Sequence, residues 1–263
     1  MSNNTFTIHR FKLLIRQQAI HYSRILLLAS IAYVGLVFIV LSITQIGNGL
    51  KYHNTDIFLG WFAGSIIFFG MLLAGHSFPS FRNKESTINY LMLPASALEK
   101  FILEFVVRIG IIFIMMPILY WMTFHFQGYF FSIFLQTAYD PVHLLSNTLQ
   151  ADFLGHKDIF WRLSAILSMT FLAFVVAFTG STIFSKQPLI KTLFSVAIIF
   201  MFYLGYAYVV VEHLGVGAYQ PPENSWLFPI KNGGPTRFFC LVSLAISLIF
   251  LFVSYSKLKE KEV

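Results

Sequence analysis

The chain has 263 residues, of which 57% are apolar and only 11% charged, with 31 phenylalanines and a formal net charge of +7. Soluble domains carry roughly 25% charged residues, and no water-soluble core of this size hides so much apolar side chain. A soluble enzyme, a disordered chain and a nucleic-acid binder are therefore excluded. What remains is an integral membrane protein whose basic excess belongs on loops that resist translocation.

From the N-terminus, Ile8 to Arg24 predicts an amphipathic helix. Ile8, Phe11, Ile15, Ala19 and Tyr22 recur at spacings of three and four, while His9, Lys12 and Arg16 share another face. Residues 1–24 read as a cytoplasmic helix lying in the membrane interface, its cations near head groups. Six windows of the length a spanning helix needs follow: Ile25–Ile46, Ile57–Ser77, Leu103–Phe124, Phe160–Phe184, Ile190–Val211 and Phe238–Ser254. The run from Ile109 to Met116 lacks the apolar–polar alternation of a barrel strand. The expected fold is thus an all-α membrane protein, a single transmembrane domain over residues 1–263, with six spans within 25–255 and a cytoplasmic tail at 256–263. Thirteen Lys and Arg fall on the side of the termini and five on the other, which places both termini in the cytoplasm. The first apolar run starts after 24 residues and continues for a full membrane thickness, so no cleaved signal peptide is expected. One cysteine, Cys240, admits no intrachain disulfide.

Gly60 and Gly64 form a small-xxx-small pattern suited to close helix packing, within the chain or between copies. Phe78 to Lys100, between spans two and three, is longer than a chain reversal needs. Lys84 to Met92 predicts a short helix with Ile88, Leu91 and Met92 on one side. Pro94 ends it, and Ser96 with Glu99 matches a capping box at the start of the third span. Glu104 and Arg108 follow at i,i+4, a pairing worth about 0.3–0.5 kcal/mol where exposed. Pro117 should kink this span toward its outer end. The segments His125–Ile159 and Glu212–Pro235 read as outer elements, with an interfacial helix in the first and the belt aromatics Trp226 and Phe228 in the second.

The search for chemistry turns up little. The histidines lack ligand spacing, no His-Glu-x-x-His is present, and Asp140 with His143 reads as a loop pair. No Gly-x-x-x-x-Gly-Lys-Ser/Thr loop occurs, so the chain cannot hold a nucleotide in that manner. No catalytic, cofactor or metal site is expected in this chain. Spans nearly bare of charge at mid-depth favour an amphiphilic or lipid-like cargo over a small ion.

The string from Tyr90 to Phe101, the amphipathic N-terminal segment, the six spans and the helical loop after the second span together resemble the ABC type-2 permease family, membrane subunits of bacterial ABC exporters with the type V fold. The resemblance implies an exporter in the bacterial inner membrane. Its ATP and Mg would sit in a separate ABC ATP-binding subunit, and a second permease copy or paralogue would complete the path. The short loop helix would be the coupling helix, with Lys84, Glu85, Thr87, Ile88, Tyr90, Leu91 and Pro94 docking the ATPase. Arg10, Lys12, Arg16, Ser96, Glu99, Glu104 and Arg108 would support it. The long outer segment between spans three and four departs from that pattern. A non-transporting scaffold or sensor that docks a cytoplasmic partner is the alternative, and a membrane-embedded lipid-modifying enzyme a further one.

Overall fold

The computed structural model describes residues 7–47, 55–82, 84–92, 95–135, 158–184, 186–212 and 234–262, and among them there is no strand. The helices are α1 (Ile8–Gly47), α2 (Thr55–Ala74), α3 (Lys84–Leu91), α4 (Ala97–Phe105), α5 (Ile112–Leu135), α6 (Asp158–Ile183), α7 (Pro188–Glu212) and α8 (Gly234–Glu262). A 3-10 turn at Pro79–Arg82 precedes α3, and a π-helical segment, Val106–Ile111, joins α4 to α5. Among the described residues, five stretches are long and apolar enough to cross a membrane: Leu26–Gly47, Ala97–Ile133, Ser164–Ile183, Pro188–Tyr206 and Arg237–Lys261. The window expected as the second span forms α2, whose described apolar stretch Gly60–Ala74 is shorter.

Several boundaries differ from expectation. No break separates an interfacial helix from the first span. α1 runs through Arg24 without interruption because helix-compatible polar residues do not end a helix, and the first Gly inside it is Gly35. The helix of the window expected as the third span reaches Leu135 and takes in the first part of the expected outer segment. Pro117 lies inside α5, and the π-helical segment Val106–Ile111 precedes that helix. α8 continues as helix to Glu262 through most of the expected tail. The remainder of both outer segments, with Asp140, His143, Trp226 and Phe228, lies outside the described residues.

The chain divides into two compact units. The first holds α1, α2 to Leu73, the end of α3, and α4 through α5. Its core follows a period of four on both long helices: Tyr33, Val37, Leu41 and Gln45 on α1, and Ile112, Met116, Tyr120 and Phe124 on the other, are all buried. The Tyr33 hydroxyl meets Ser65 Oγ at 3.2 Å, and the Tyr120 hydroxyl donates to the Phe58 carbonyl at 2.8 Å. Further along, Gln127 Nε2 donates to Gln45 Oε1 with both side chains buried. Such bonds hold helices together where lipid gives no hydrophobic drive for association. Among the described residues, a Cβ at Gly60 or Gly64 would meet nothing within 4 Å.

The second unit holds Ala74–Ile88, α6, α7 and α8. Hydroxyl groups join α6 to α8. Ser243 Oγ donates to Ser168 Oγ at 2.7 Å, Ser254 Oγ to Thr182 Oγ1 at 3.3 Å, and Thr179 Oγ1 to the Phe250 carbonyl at 3.2 Å. Lys261 Nζ donates to the Thr182 carbonyl at 2.6 Å, satisfying an end group of α6, and lies 4.9 Å from the Phe81 ring centroid. Phe78 adopts a left-handed φ of 51°, and its buried ring packs on Phe81 and Phe178. α6 and α7 meet at Gly180, where a Cβ would lie 1.7 Å from Thr192 Oγ1. Thr192 is buried and bonded to the Pro188 carbonyl, so it cannot easily yield. Gly180→Ala should therefore cost about 1–3 kcal/mol by overpacking. A lowered thermal midpoint in detergent checks this, and Thr192→Ala in the same chain should restore part of the loss.

Candidate functional site

The structured segment between α2 and α4 is built from local signals. Ser80 follows the 3-10 turn's first residue, and its carbonyl accepts a 2.9 Å bond from Thr87 Oγ1, tying α3 back to that turn. On α3, Glu85 and Ile88 are exposed and Thr87 half-buried, and Met92 just beyond is exposed. Tyr90 turns the other way and is buried, its ring 5.2 Å from the Lys100 ammonium. The expected docking set therefore splits: Glu85 and Ile88 face outward, whereas Tyr90 is a bracing residue. Lys84 and Leu91 lie on α3, and Pro94 lies outside the described residues.

At the start of α4 the capping box forms as its residues require. Ser96 sits in extended backbone, its Oγ accepts the Glu99 N–H at 3.3 Å, and Glu99 Oε2 accepts the Ser96 N–H at 2.8 Å. Glu99 then uses its second oxygen elsewhere. Oε1 accepts the Thr7 N–H at 2.7 Å, and an Arg10 guanidinium nitrogen lies 3.7 Å from it. Thr7 is where α1 begins, since its carbonyl accepts the N–H of Phe11 at 3.1 Å. Arg10 Nε also donates to Thr7 Oγ1 at 2.5 Å. One fully buried carboxylate thus joins the first turns of two helices 92 residues apart in sequence. Of the basic residues expected to support docking from α1, Arg10 turns to this carboxylate, while Lys12 and Arg16 stay exposed. The face of α1 turned inward there carries Arg10, Phe11 and buried Leu14, and the expected stripe residues Ile8 and Ile15 point out.

Lys100, Glu104 and Arg108 continue at intervals of four along the same helix, and all three are buried. Arg108 Nε lies 3.6 Å from Glu104 Oε2, with side chains 3% and 0% exposed. The expected weak surface pairing is instead a buried ion pair, and Arg108 belongs to the π-helical segment. Counted from Ala97, these residues stand roughly 10 and 16 Å along the helix. The apolar stretch Ala97–Ile133 thus carries a buried ion pair in its first half. Burial of the pair had a readable signal, because ionisable residues at i,i+4 inside an apolar stretch normally face the bundle interior. Gln45 and Gln127 carried the same signal.

Among the described residues the arrangement holds helix ends and charges in fixed places. No family model, curated protein or solved structure matches this chain.

Proposed function

We propose that this chain is the membrane-spanning subunit of an ATP-driven exporter of the ABC type-2 permease kind. It would sit in a bacterial cytoplasmic membrane with both termini cytoplasmic, beside a separate ATP-binding subunit and a second permease copy or paralogue. The observation that carries the reading is α3: a short helix outside the apolar stretches that exposes Glu85 and Ile88 and is braced from behind by Tyr90, Lys100 and Thr87. A braced helix transmits a push that a floppy loop would absorb. After it in the chain, the capped α4 opens the long apolar helical stretch Ala97–Ile133, a stiff element for motion of α3 to act on. An amphiphilic cargo fits the aromatic content of the chain, and the nucleotide chemistry falls to the partner because the sequence lacks a phosphate-binding loop.

The test is co-purification from the native membrane. Ile88→Asp with Met92→Asp should reduce the recovered ATP-binding subunit at least tenfold while leaving the chain's own membrane level unchanged. Tyr90→Asp is a poor probe, since a buried ring under a lysine cannot be made anionic without disturbing the fold. If the unmodified chain brings down no ATP-binding subunit, the exporter reading fails. Recovery of a different cytoplasmic protein through the same face would favour a scaffold.

A further inference from the structure

On α7, the face that carries Lys191 continues through Phe194, Ile198, Met201, Gly205 and Val209, at spacings of three and four that align them down one side of the helix. Ile198, Met201, Phe202, Gly205, Tyr206 and Val209 bound an open apolar groove on that side. Gly205 is its low point, because a Cβ there meets nothing within 4 Å and the residues around it are large. The groove runs from roughly 10 to 27 Å beyond Lys191 at 1.5 Å per residue. At its head the turn between α6 and α7 exposes Lys186, and Lys191 is exposed with its ammonium 5.8 Å from the Phe184 ring centroid. Neither lysine has a carboxylate partner among the described residues.

We propose that this face of α7 binds an anionic phospholipid, its phosphate held by Lys186 and Lys191 and one acyl chain lying in the groove past Gly205. The charge is complementary to a phosphate, and ammonium groups at the end of a spanning helix attract anionic head groups. The groove below is apolar along its length and as long as an acyl chain. A soluble ligand would meet the lysines and have no use for the groove, and a neutral lipid would fill the groove and gain nothing from the lysines. The site is independent of what docks on α3.

Native mass spectrometry of the full chain, released from vesicles of phosphatidylcholine and phosphatidylglycerol in equal amounts, tests this. Phosphatidylglycerol adducts should exceed phosphatidylcholine adducts severalfold. Removing Lys186 and Lys191 as glutamines should cut that preference by about fivefold per lysine. Gly205→Leu should reduce retention of both lipids while leaving the preference between them. Both sites are exposed, and an unchanged helical circular dichroism spectrum confirms that the variants fold. Equal adducts in the unmodified chain, or a preference that survives the glutamine variant, would overturn the proposal. So would complete displacement by inorganic phosphate, which would reduce the site to an ion contact. If Gly205→Leu instead abolishes a dimer and removes no lipid, the groove belongs to a second copy of the chain.

Discussion

Glu104→Ala should lower the stability of the folded chain by up to about 3–5 kcal/mol, because it removes a carboxylate that offsets the desolvation of the buried Arg108 guanidinium. Both side chains are shut away from the surface, and the pair stands 3.6 Å apart, so neither water nor salt screens it as they would an exposed pair. Removing both charges together is the informative control. Glu104→Leu with Arg108→Met should cost far less than either single change, since two apolar side chains of similar volume avoid the desolvation that the pair must offset. Unfolding in detergent, followed by helical circular dichroism, separates these outcomes. A loss under about 1 kcal/mol for Glu104→Ala would mean that the pair is solvated and the buried geometry is wrong. A double variant as unstable as the single would mean that the cost came from lost packing and not from stranded charge. The position of the pair adds a functional expectation. A π-helical segment carries one residue more per turn than its surroundings and often marks a working part of a helix. Here it holds Arg108 directly beneath the capped end that α3 leads into. On the proposed exporter reading, a stabilised double variant with impaired transport would separate the pair's role in motion from its role in folding.

What could be read from the amino acids alone follows the range of the interactions involved. Helical class and membrane character were legible because they depend on composition and run length, and the six apolar windows all fall largely on helix. The capping box was legible because Ser96 and Glu99 are three residues apart and satisfy each other's backbone. Element ends were less so. Nothing between Ile8 and Gly47 forces a helix to stop, so a change from amphipathic to uniformly apolar patterning did not coincide with a break. The partners of Glu99 could not be found by pattern, because Thr7 is 92 residues distant and contributes a backbone N–H that any residue could supply. The inward turn of Tyr90 depends on Lys100, ten residues on, and an inference from apolar character to burial would fail at Ile88 and Met92, which are exposed. A membrane protein weakens that inference generally, since lipid and partners receive apolar side chains as readily as a core does.

Glu99→Ala is the second large effect, and its consequences separate by place. The carboxylate accepts two backbone N–H groups, from Ser96 and Thr7, in a fully buried position and stands beside the Arg10 guanidinium. Hydrogen bonds to a charged group contribute about 1.5–3 kcal/mol each, and a lost cap about 0.5–2 kcal/mol. These overlap, so the expected total is about 3 kcal/mol. Arg10 adds little, because it is one-third exposed and water screens it. Arg10→Met should therefore cost less than 1 kcal/mol and serves as the control for charge. Glu99→Gln keeps the shape but offers only one acceptor oxygen, so it should fall between the wild type and the alanine variant. Hydrogen exchange locates the damage. In Glu99→Ala the amides in the first turns of both α1 and α4 should exchange faster, whereas Ser96→Ala should loosen α4 and leave α1 nearly unchanged. If α1 keeps its protection without Glu99, the carboxylate is only a local cap and the two helix starts are held together by something else. If both loosen together, one side chain couples the first turns of α1 and α4.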